Sequence, residues 1–363
     1  MNILITGGHH TSSIPVIMDI KKNHKDINIF FVGSKSTLSK NKNTSLEFID
    51  ITNLNIPYYK ITTGKFYKKF DLINFIKIII GLFQSLFILI KVKPDIVLSF
   101  GGYIAVPVVI VAKLLNIKVL THEQTLVSGY ANKLISKIAD KVFISWPQSQ
   151  KYFNPNKTIV TGIPIRNEIY KSTTNNYIIQ NKLPTIYVTG GKSGSNVINK
   201  NVLKILPDLL DEFNVIHQCG DNSQTKDYDI LLEISSKLPL KKGNYFLKKF
   251  IDINEIGEVL SKCDFVISRS GAHTISELIV LNKPGILIPI PWSSHNEQYE
   301  NAKLVKDLGL AEIIQQKELS PLFLINKIKD FNHNLKSYKL NDNKIKNFLK
   351  KDSSKIIIDE IYK

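Results

Sequence analysis

Three glycine-containing turns hold the residue types that could do chemistry. The first, Thr6-Gly7-Gly8-His9-His10-Thr11-Ser12-Ser13-Ile14-Pro15, places two adjacent imidazoles after a short apolar run. Glycine lets a backbone turn tightly and approach a ligand, and a helix that follows presents unpaired N–H groups to an anion. Imidazole serves as a base near neutral pH, so His9 and His10 are candidate catalytic residues, or else loop histidines that only hydrogen-bond. The second turn is Gly190-Gly191-Lys192-Ser193-Gly194-Ser195. It superficially looks like a nucleotide P-loop, but that motif needs a glycine five residues before Gly191, where Ile186 stands. Its amides and Ser193 can still receive a phosphate or a sugar hydroxyl. The third, Ser268-Arg269-Ser270-Gly271-Ala272-His273-Thr274-Ile275-Ser276-Glu277, gives the strongest local signal. A small-residue turn seats a diphosphate on the amides at a helix start, and a carboxylate one or two turns on, here Glu277, can accept both hydroxyls of a ribose.

Two other clusters are read more plainly. Asp227-Tyr228-Asp229 looks like a metal-holding acidic pair, but it reads as a polar loop beside Lys226 and no strand end, so no metal role is expected. His217-Gln218-Cys219-Gly220 ends a strand and is expected to line the ligand cleft. No His, Cys and Asp set has zinc spacing.

Short apolar runs alternate with longer amphipathic segments, as in a chain of βα units. Strands are expected at Asn2–Thr6, Ile27–Val32, Ile96–Ser99, Lys118–Thr121 and Lys141–Ser145, then at Thr185–Thr189, Asn214–Gln218, Phe265–Ser268 and Gly285–Pro289. Both halves open with a strand that runs into Gly-Gly, which points to two doubly wound domains facing a cleft. Thr161–Tyr170 followed by the polar stretch Lys171–Lys182 is the expected hinge and linker. The expected division is therefore 1–163, 164–336 and a lysine-rich helical segment 337–363 that could pack back on the first domain.

The chain has 363 residues, 43% hydrophobic and 22% charged, enough for large cores and too apolar for a disordered chain. Its net charge of +17 suits an anionic partner. The lysines are spread along the chain rather than set beside stacking aromatics, so nucleic acid is not expected. Cys219 and Cys263 stand far apart, which argues against a disulfide framework and fits a reducing compartment. No signal peptide is read at the N-terminus. The most apolar stretch is Phe70–Lys93, where Asn74, Lys77, Gly81, Gln84 and Ser85 share a narrow stripe at helical spacing. Its uninterrupted apolar runs are too short to suggest a spanning helix. It reads either as a core helix or, with Lys65, Lys68, Lys69, Lys91 and Lys93 around it, as a surface resting on anionic lipid; both hold if one face packs and the other binds.

In their order and spacing these motifs resemble the MurG family of bacterial UDP-N-acetylglucosamine transferases over nearly the whole chain. The matching pieces are Thr6-Gly7-Gly8 with Pro15, Pro94-Asp95-Ile96-Val97 through Gly101-Gly102-Tyr103, His122-Glu123-Gln124, Thr161-Gly162-Ile163-Pro164-Ile165-Arg166, Gly190-Gly191, Phe250-Ile251, Arg269 to Ala272 with Thr274 and Glu277, and Gln298 with Asn301-Ala302. The resemblance implies an α/β chain of the GT-B glycosyltransferase fold, two doubly wound Rossmann-like domains with a cleft between them. It implies inverting, metal-independent and cofactor-free transfer of N-acetylglucosamine from UDP-N-acetylglucosamine to the 4-hydroxyl of undecaprenyl-diphospho-N-acetylmuramoyl-pentapeptide. The first domain would take the lipid acceptor and the second the UDP-sugar, with the protein peripheral on the cytoplasmic membrane face through the Phe66–Lys93 region. Carried over residue by residue, Arg166 should contact the donor, Ile251 should meet uracil through its backbone, Ala272, His273 and Thr274 should lie at the diphosphate with Ile275 and Ser276 beside them, Glu277 on the ribose and Gln298 on the donor sugar. Thr11, Thr125 and Ser193 complete the expected binding set.

Three departures stand out. The family's first loop reads Gly-Gly-Thr-Gly-Gly-His, and Ser12 occupies the position of its histidine, while His9 and His10 fall on earlier loop positions. The base is then His9, His10 or Glu123. Thr125 replaces an asparagine, and Lys192-Ser193 replaces Ser-Gln. A related GT-B transferase acting on another lipid is the alternative that these changes allow, and a sugar-nucleotide sensor without turnover is the nonenzymatic one.

Overall fold

Period-two alternation along the apolar runs sorts strand side chains onto two faces, and helices on both sides bury them. The computed structural model describes residues 1–35, 45–64, 71–340 and 352–363. The chain forms two compact units, Met1–Ile165 with Asn347–Lys363, and Arg166–Lys346. The first holds strands β1 (Asn2–Thr6), β2 (Asn28–Gly33), β3 (Tyr58–Lys60), β4 (Ile96–Ser99), β5 (Lys118–Glu123), β6 (Lys141–Ile144) and β7 (Thr158–Val160). They make a parallel sheet in the order β3-β2-β1-β4-β5-β6-β7. Its helices are α1 (His10–Asn23), α2 (Leu46–Asn53), α3 (Leu72–Val92), α4 (Ala105–Leu114) and α5 (Tyr130–Ile138). Ile3 and Ile5 pack with Val16, Ile17 and Ile20 of α1 on one face, and Leu4 and Val97 pack with Val108 and Val109 of α4 on the other.

The second unit repeats the scheme with β8 (Thr185–Thr189), β9 (Asn214–Gln218), β10 (Tyr245–Lys248), β11 (Phe265–Ser268), β12 (Gly285–Leu287) and β13 (Ala311–Ile313) in the parallel order β10-β9-β8-β11-β12-β13. Its helices are α6 (Asn196–Glu212), α7 (Asp227–Ser236), α8 (Ile256–Lys262), α9 (Ala272–Val280), α10 (Glu297–Asp307) and α11 (Pro321–His333). Ile186, Val188 and Ile267 pack against Val202, Leu206 and Leu209 of α6 and Ile328 of α11. In each sheet the chain winds outward one way and then the other, so strand order reverses between β1 and β4 and between β8 and β11.

Several expectations need correction. The four unanticipated strands, β3, β7, β10 and β13, are the outermost strands of the two sheets. All are three or four residues long and mostly half-buried, so no long apolar run marks them. Asp227 opens helix α7 instead of lying in a loop, and its carboxylate accepts from the side chains of Asn196 and Asn199. His217 does not line a cleft: it is wholly buried, bonded to Asn199 Oδ1 at 3.0 Å and Tyr245 OH at 2.9 Å. The linker is strapped down, since the buried carboxylate of Glu258 receives Thr174 Oγ1 and the N–H groups of Asn176 and Tyr177. The segment 337–363 is split between the units. Tyr338 stacks on Phe331 in the second core, centroids 4.1 Å apart, whereas a last helix, α12 (Ser353–Ile361), joins the first.

Helix α3 packs one face and exposes the other. Its N-terminus is capped by Asp71, which accepts from Ile73 N–H at 3.0 Å. Gly81 and Ser85, from the supposed polar stripe, face inward with Ile88, Leu89 and Val92. Gly81 lies against Thr62 and Thr63, and Ser85 satisfies its hydroxyl on the Gly81 carbonyl. Small side chains on that face let the helix sit close to the unit, and the large apolar ones are turned outward: Phe83 is 60% and Phe87 71% exposed. The helix spans 21 residues with mean hydropathy 2.2 in its most apolar window, so length and composition alone allow a crossing, contrary to the count of uninterrupted runs. Lys65, Lys68 and Lys69 lie outside the described residues.

Helix α12 buries Ile357, Ile358 and Ile361 in the core built on Ile3, Ile5 and Ile17. Shortening wholly buried Ile357 to alanine leaves a cavity. Ile357→Ala is expected to cost about 2–5 kcal/mol of unfolding free energy, measured by urea denaturation; a change below about 0.5 kcal/mol would place α12 off the core.

Candidate functional site

Open parallel sheets bind ligands outside the carboxyl ends of their strands where strand order reverses. The turns after β1 and β4 in the first unit, and after β8 and β11 in the second, stand at those points, and all four contain glycine. In the first unit the turns touch backbone to backbone: Gly8 N–H donates to Gly101 O at 2.9 Å. A Cβ on Gly101, whose φ is +74°, would collide with the side-chain amide of Asn132.

The structure separates the two histidines. His10 Nε2 lies 2.9 Å from Asp50 Oδ2, tying α1 to α2. His9 precedes the first turn of α1, and its ring keeps solvent-accessible surface. Desolvation lowers its pKa, Glu123 opposes that and His10 adds to it, so His9 is neutral near pH 7 and able to accept a proton. Glu123 is buried at the end of β5 and fully engaged. It accepts from Thr125 N–H at 3.0 Å and Thr125 Oγ1 at 2.8 Å on one oxygen, and from Asn132 Nδ2 at 3.0 Å on the other. Ser12 is buried with its hydroxyl on Gln124 Oε1, and Thr11 is half-buried in the first turn of α1. His122 is wholly buried, its Nε2–H donating to Gly162 O at 3.1 Å, and desolvation drops it to about 4.

In the second unit the turn after β8 folds against the end of β9: a Cβ on Gly194, at φ +71°, would meet the Cys219 carbonyl. Ser193 is exposed at its tip, and Ser195 caps α6. At the turn after β11, the first three N–H groups of α9, those of Ala272, His273 and Thr274, lie in the helix's first turn, where the helix itself supplies no acceptor. Ile275 and Ser276 do not join them. Ile275 N–H bonds Gly271 O, Ser276 Oγ bonds Ala272 O, and both side chains are buried, because the helical period turns them to the core. Glu277 meets Arg166, whose Nη2 and Nε reach Oε1 at 3.0 and 3.1 Å. Gln298 Oε1 accepts from Ile290 N–H at 3.1 Å, and its main-chain carbonyl accepts from Ser270 Oγ at 2.7 Å. Beside it opens a depression of about 390 Å³ lined by Pro289, Ile290, Pro291, Tyr299 and Gln316 among others. Ile251 is half-buried in the loop after β10.

Arg269, quoted above only as part of a motif, organises this region. Its buried guanidinium donates to Ser195 Oγ at 2.9 Å, Gln316 Oε1 at 2.7 Å and Ile288 O at 2.9 Å, joining the starts of α6 and α9 to the end of β12. Burial lowers it to about 10, so it stays charged, with only neutral acceptors around it. A buried cation beneath two helix N-termini makes an anion-attracting field. Asn132, which orients Glu123, was the other residue missed; nothing marks it on an amphipathic helix, whereas a charged residue following an apolar strand was a signal for Arg269.

Three buried groups make stability depend on pH. His122, at about 4, and His217, at about 3, are held neutral by desolvation, so the unfolded chain binds their protons first and stability falls as pH drops below 6.5. Glu47, raised to about 7 by burial and bonded to Tyr58 OH and Ser34 N–H, works the other way, holding a proton in the fold that the unfolded chain has lost. Going from pH 7 to pH 5, His217→Gln should therefore lose about 2 kcal/mol less unfolding free energy than the parent chain, and Glu47→Gln more. Equal pH dependence in all three by urea denaturation would contradict the buried assignments.

The glycosyltransferase family 28 N-terminal domain model matches residues 6–144, and the family 28 C-terminal domain model matches residues 185–358. A relative from Clostridium perfringens, named UDP-N-acetylglucosamine–N-acetylmuramyl-(pentapeptide) pyrophosphoryl-undecaprenol N-acetylglucosamine transferase, is 35% identical over 350 residues, 93% of this chain and 91% of its own. One of the same name from Clostridium botulinum is 34% identical, covering 99% of this chain and 95% of its own. The crystal structure of MurG from Acinetobacter baumannii superposes with a TM-score of 0.71 at 23% identity over 99% of both chains, a likeness of fold. Two parallel α/β units of the GT-B kind, matched along their length by both domain models and by near-full-length relatives, make this chain a member of glycosyltransferase family 28, in the MurG family.

Proposed function

We propose that this chain transfers N-acetylglucosamine from UDP-N-acetylglucosamine to the 4-hydroxyl of undecaprenyl-diphospho-N-acetylmuramoyl-pentapeptide, with inversion and without a metal. The observation that carries this is a division of chemistry between two reversal points. A neutral imidazole, His9, stands near a buried, fixed carboxylate in the first unit, and the N-terminal amides of α9 with Glu277 and the Arg269 cation stand in the second. The near-full-length relatives bear the name of this reaction.

The first unit takes the acceptor. His9 accepts the 4-hydroxyl proton as its oxygen attacks the anomeric carbon, and Glu123, held by Thr125 and Asn132, stabilises the imidazolium. His10, committed to Asp50, is the less favoured base. The second unit takes the donor. The α9 amides of Ala272 to Thr274, with Ser193, hold the diphosphate; Glu277 Oε2 and Arg166 hold the ribose; Ile251 meets the base; Gln298 meets the sugar. As the bond from the anomeric carbon to the UDP oxygen breaks, charge grows on the diphosphate, where fixed amides and the Arg269 field stabilise it without reorganisation. The buried Ser12 at the family's histidine position favours one second reading, transfer to a different lipid-linked acceptor by the same donor site.

The protein is peripheral on the cytoplasmic face of the membrane in this reading, and its contact with lipid is supported by α3. Its outward face exposes Ile73, Phe75, Ile76, Ile79, Phe83 and Phe87, far more contiguous apolar surface than scattered exposed residues give. Its other face is packed in the unit, which suits a helix lying in the interface rather than crossing.

Release of UDP from UDP-N-acetylglucosamine should require the lipid-linked muramoyl-peptide. His9→Ala should lower kcat by roughly 10²–10⁴, His10→Ala should change it little, and Glu277→Ala should raise the donor KM. Acceptor-independent release, or activity only with a simpler glycolipid, would move the assignment to the second reading. For the membrane face, Phe83→Ser with Phe87→Ser should lower partition onto anionic vesicles by about tenfold or more, since each ring contributes apolar area; unchanged cosedimentation would remove α3 from the contact.

A further inference from the structure

A depression of about 610 Å³ opens on the outer face of α5, and the chemistry above uses none of it. Tyr130, Lys133, Leu134 and Lys137 recur at helical spacing along one stripe of α5 and form one wall, and Tyr152 and Lys157, from the segment before β7, form the other. Two of its three lysines are held in place. Lys157 Nζ donates to carbonyls at the C-terminus of α5, Lys137 O at 3.0 Å and Ala139 O at 2.9 Å, and Lys133 Nζ lies 4.8 Å from the centre of the Tyr152 ring. Among the described residues no carboxylate lines the depression, so its charge is of one sign. The opposite face of α5 carries Asn132, which is buried and holds Glu123. Tyr130 and Asn132 share the first turn of the helix. The basic stripe therefore starts in the turn that holds the fixed carboxylate and runs about 10 Å along the helix from there.

We propose that this groove is a subsite for the anionic peptide of the acceptor, with Lys133 and Lys137 as specificity-determining residues. This rests on the reading that the first unit takes the muramoyl-peptide with its 4-hydroxyl near His9 and Glu123. In an N-acetylmuramoyl group the peptide is joined through the lactyl ether on carbon 3, the neighbour of the reacting carbon 4, so the peptide leaves the reaction centre beside the attacking oxygen. An extended pentapeptide reaches about 17 Å, longer than the stripe, and its C-terminus is a carboxylate. Ammonium groups already held along one wall attract such a chain at a small cost in side-chain freedom. Anionic lipid is the other chemistry that lysines attract. A lipid surface meets groups that stand outward, as on α3, whereas Lys133 and Lys157 are half-buried in the walls of a depression.

The test is steady-state UDP release by the full chain with two lipid-linked muramoyl-pentapeptide acceptors, one with its peptide carboxylates intact and one with them amidated. It compares the parent, Lys133→Ser with Lys137→Ser, and Lys133→Arg with Lys137→Arg. The parent should have the higher kcat/KM on the carboxylate form, by a ratio that shrinks as salt is raised. The serine pair should cut that ratio about three- to tenfold, through KM rather than kcat, as two partly exposed ion pairs are lost. The arginine pair keeps both charges and should restore it. An equal loss on both acceptors, or a parent without preference, overturns the proposal while leaving the transfer reaction intact. So does a serine pair that keeps the ratio but loses partition onto anionic vesicles, which makes the groove a lipid contact. Should the serine pair not fold, Lys137→Ser alone decides, with an unchanged ratio overturning the proposal. A parent chain that releases UDP with neither acceptor overturns the acceptor reading and this proposal together.

Discussion

Close backbone approach at the ends of parallel strands is the constraint on which the rest of each unit depends. Gly8 N–H reaches Gly101 O between the turns after β1 and β4, where strand order reverses, and Gly194 lies on the Cys219 carbonyl between the turn after β8 and the end of neighbouring β9. A side chain at Gly194 would need the end of β9 to move, and with it the glycine turn after β8. Glycine's tolerance of positive φ is what lets each turn place a helix start at the edge of the sheet.

The electrostatics follow from that geometry. Packing the turns closely buries groups that would otherwise be solvated, and burial sets their charge. His122 and His217 are kept neutral and serve as hydrogen-bonding struts, while Arg269 cannot neutralise and so remains a cation among neutral acceptors. His9, at the start of α1, is held neutral as well, its pKa lowered by desolvation against the pull of Glu123. Two adjacent histidines thereby acquire different surroundings: His10, facing Asp50, holds α1 to α2, and His9 lies within the field of Glu123.

Helix α3 is oriented by side-chain size rather than polarity. A helix normally buries its large apolar side chains, yet here Gly81 and Ser85 form the close contact and the phenylalanines point away. Burying small residues lets the helix approach the unit and leaves its bulky face as surplus apolar surface, which water penalises and a lipid interface accepts.

The sequence by itself determined the alternation of strand and helix, the central strands, the glycine turns and their order. Those features are local: apolar runs of period two mark strands buried on both faces, and glycine marks turns. Five central strands, β1, β4, β8, β9 and β11, lie at the boundaries the pattern gave them. Only the tertiary structure decided the edges, since β3, β7, β10 and β13 are half-exposed and are strands because a neighbour pairs with them. It alone separated His9 from His10, turned Ile275 and Ser276 into the core and made Asp227 a buried acceptor. Each of these depends on which residues from distant parts of the chain meet, and adjacency in sequence carries no such information.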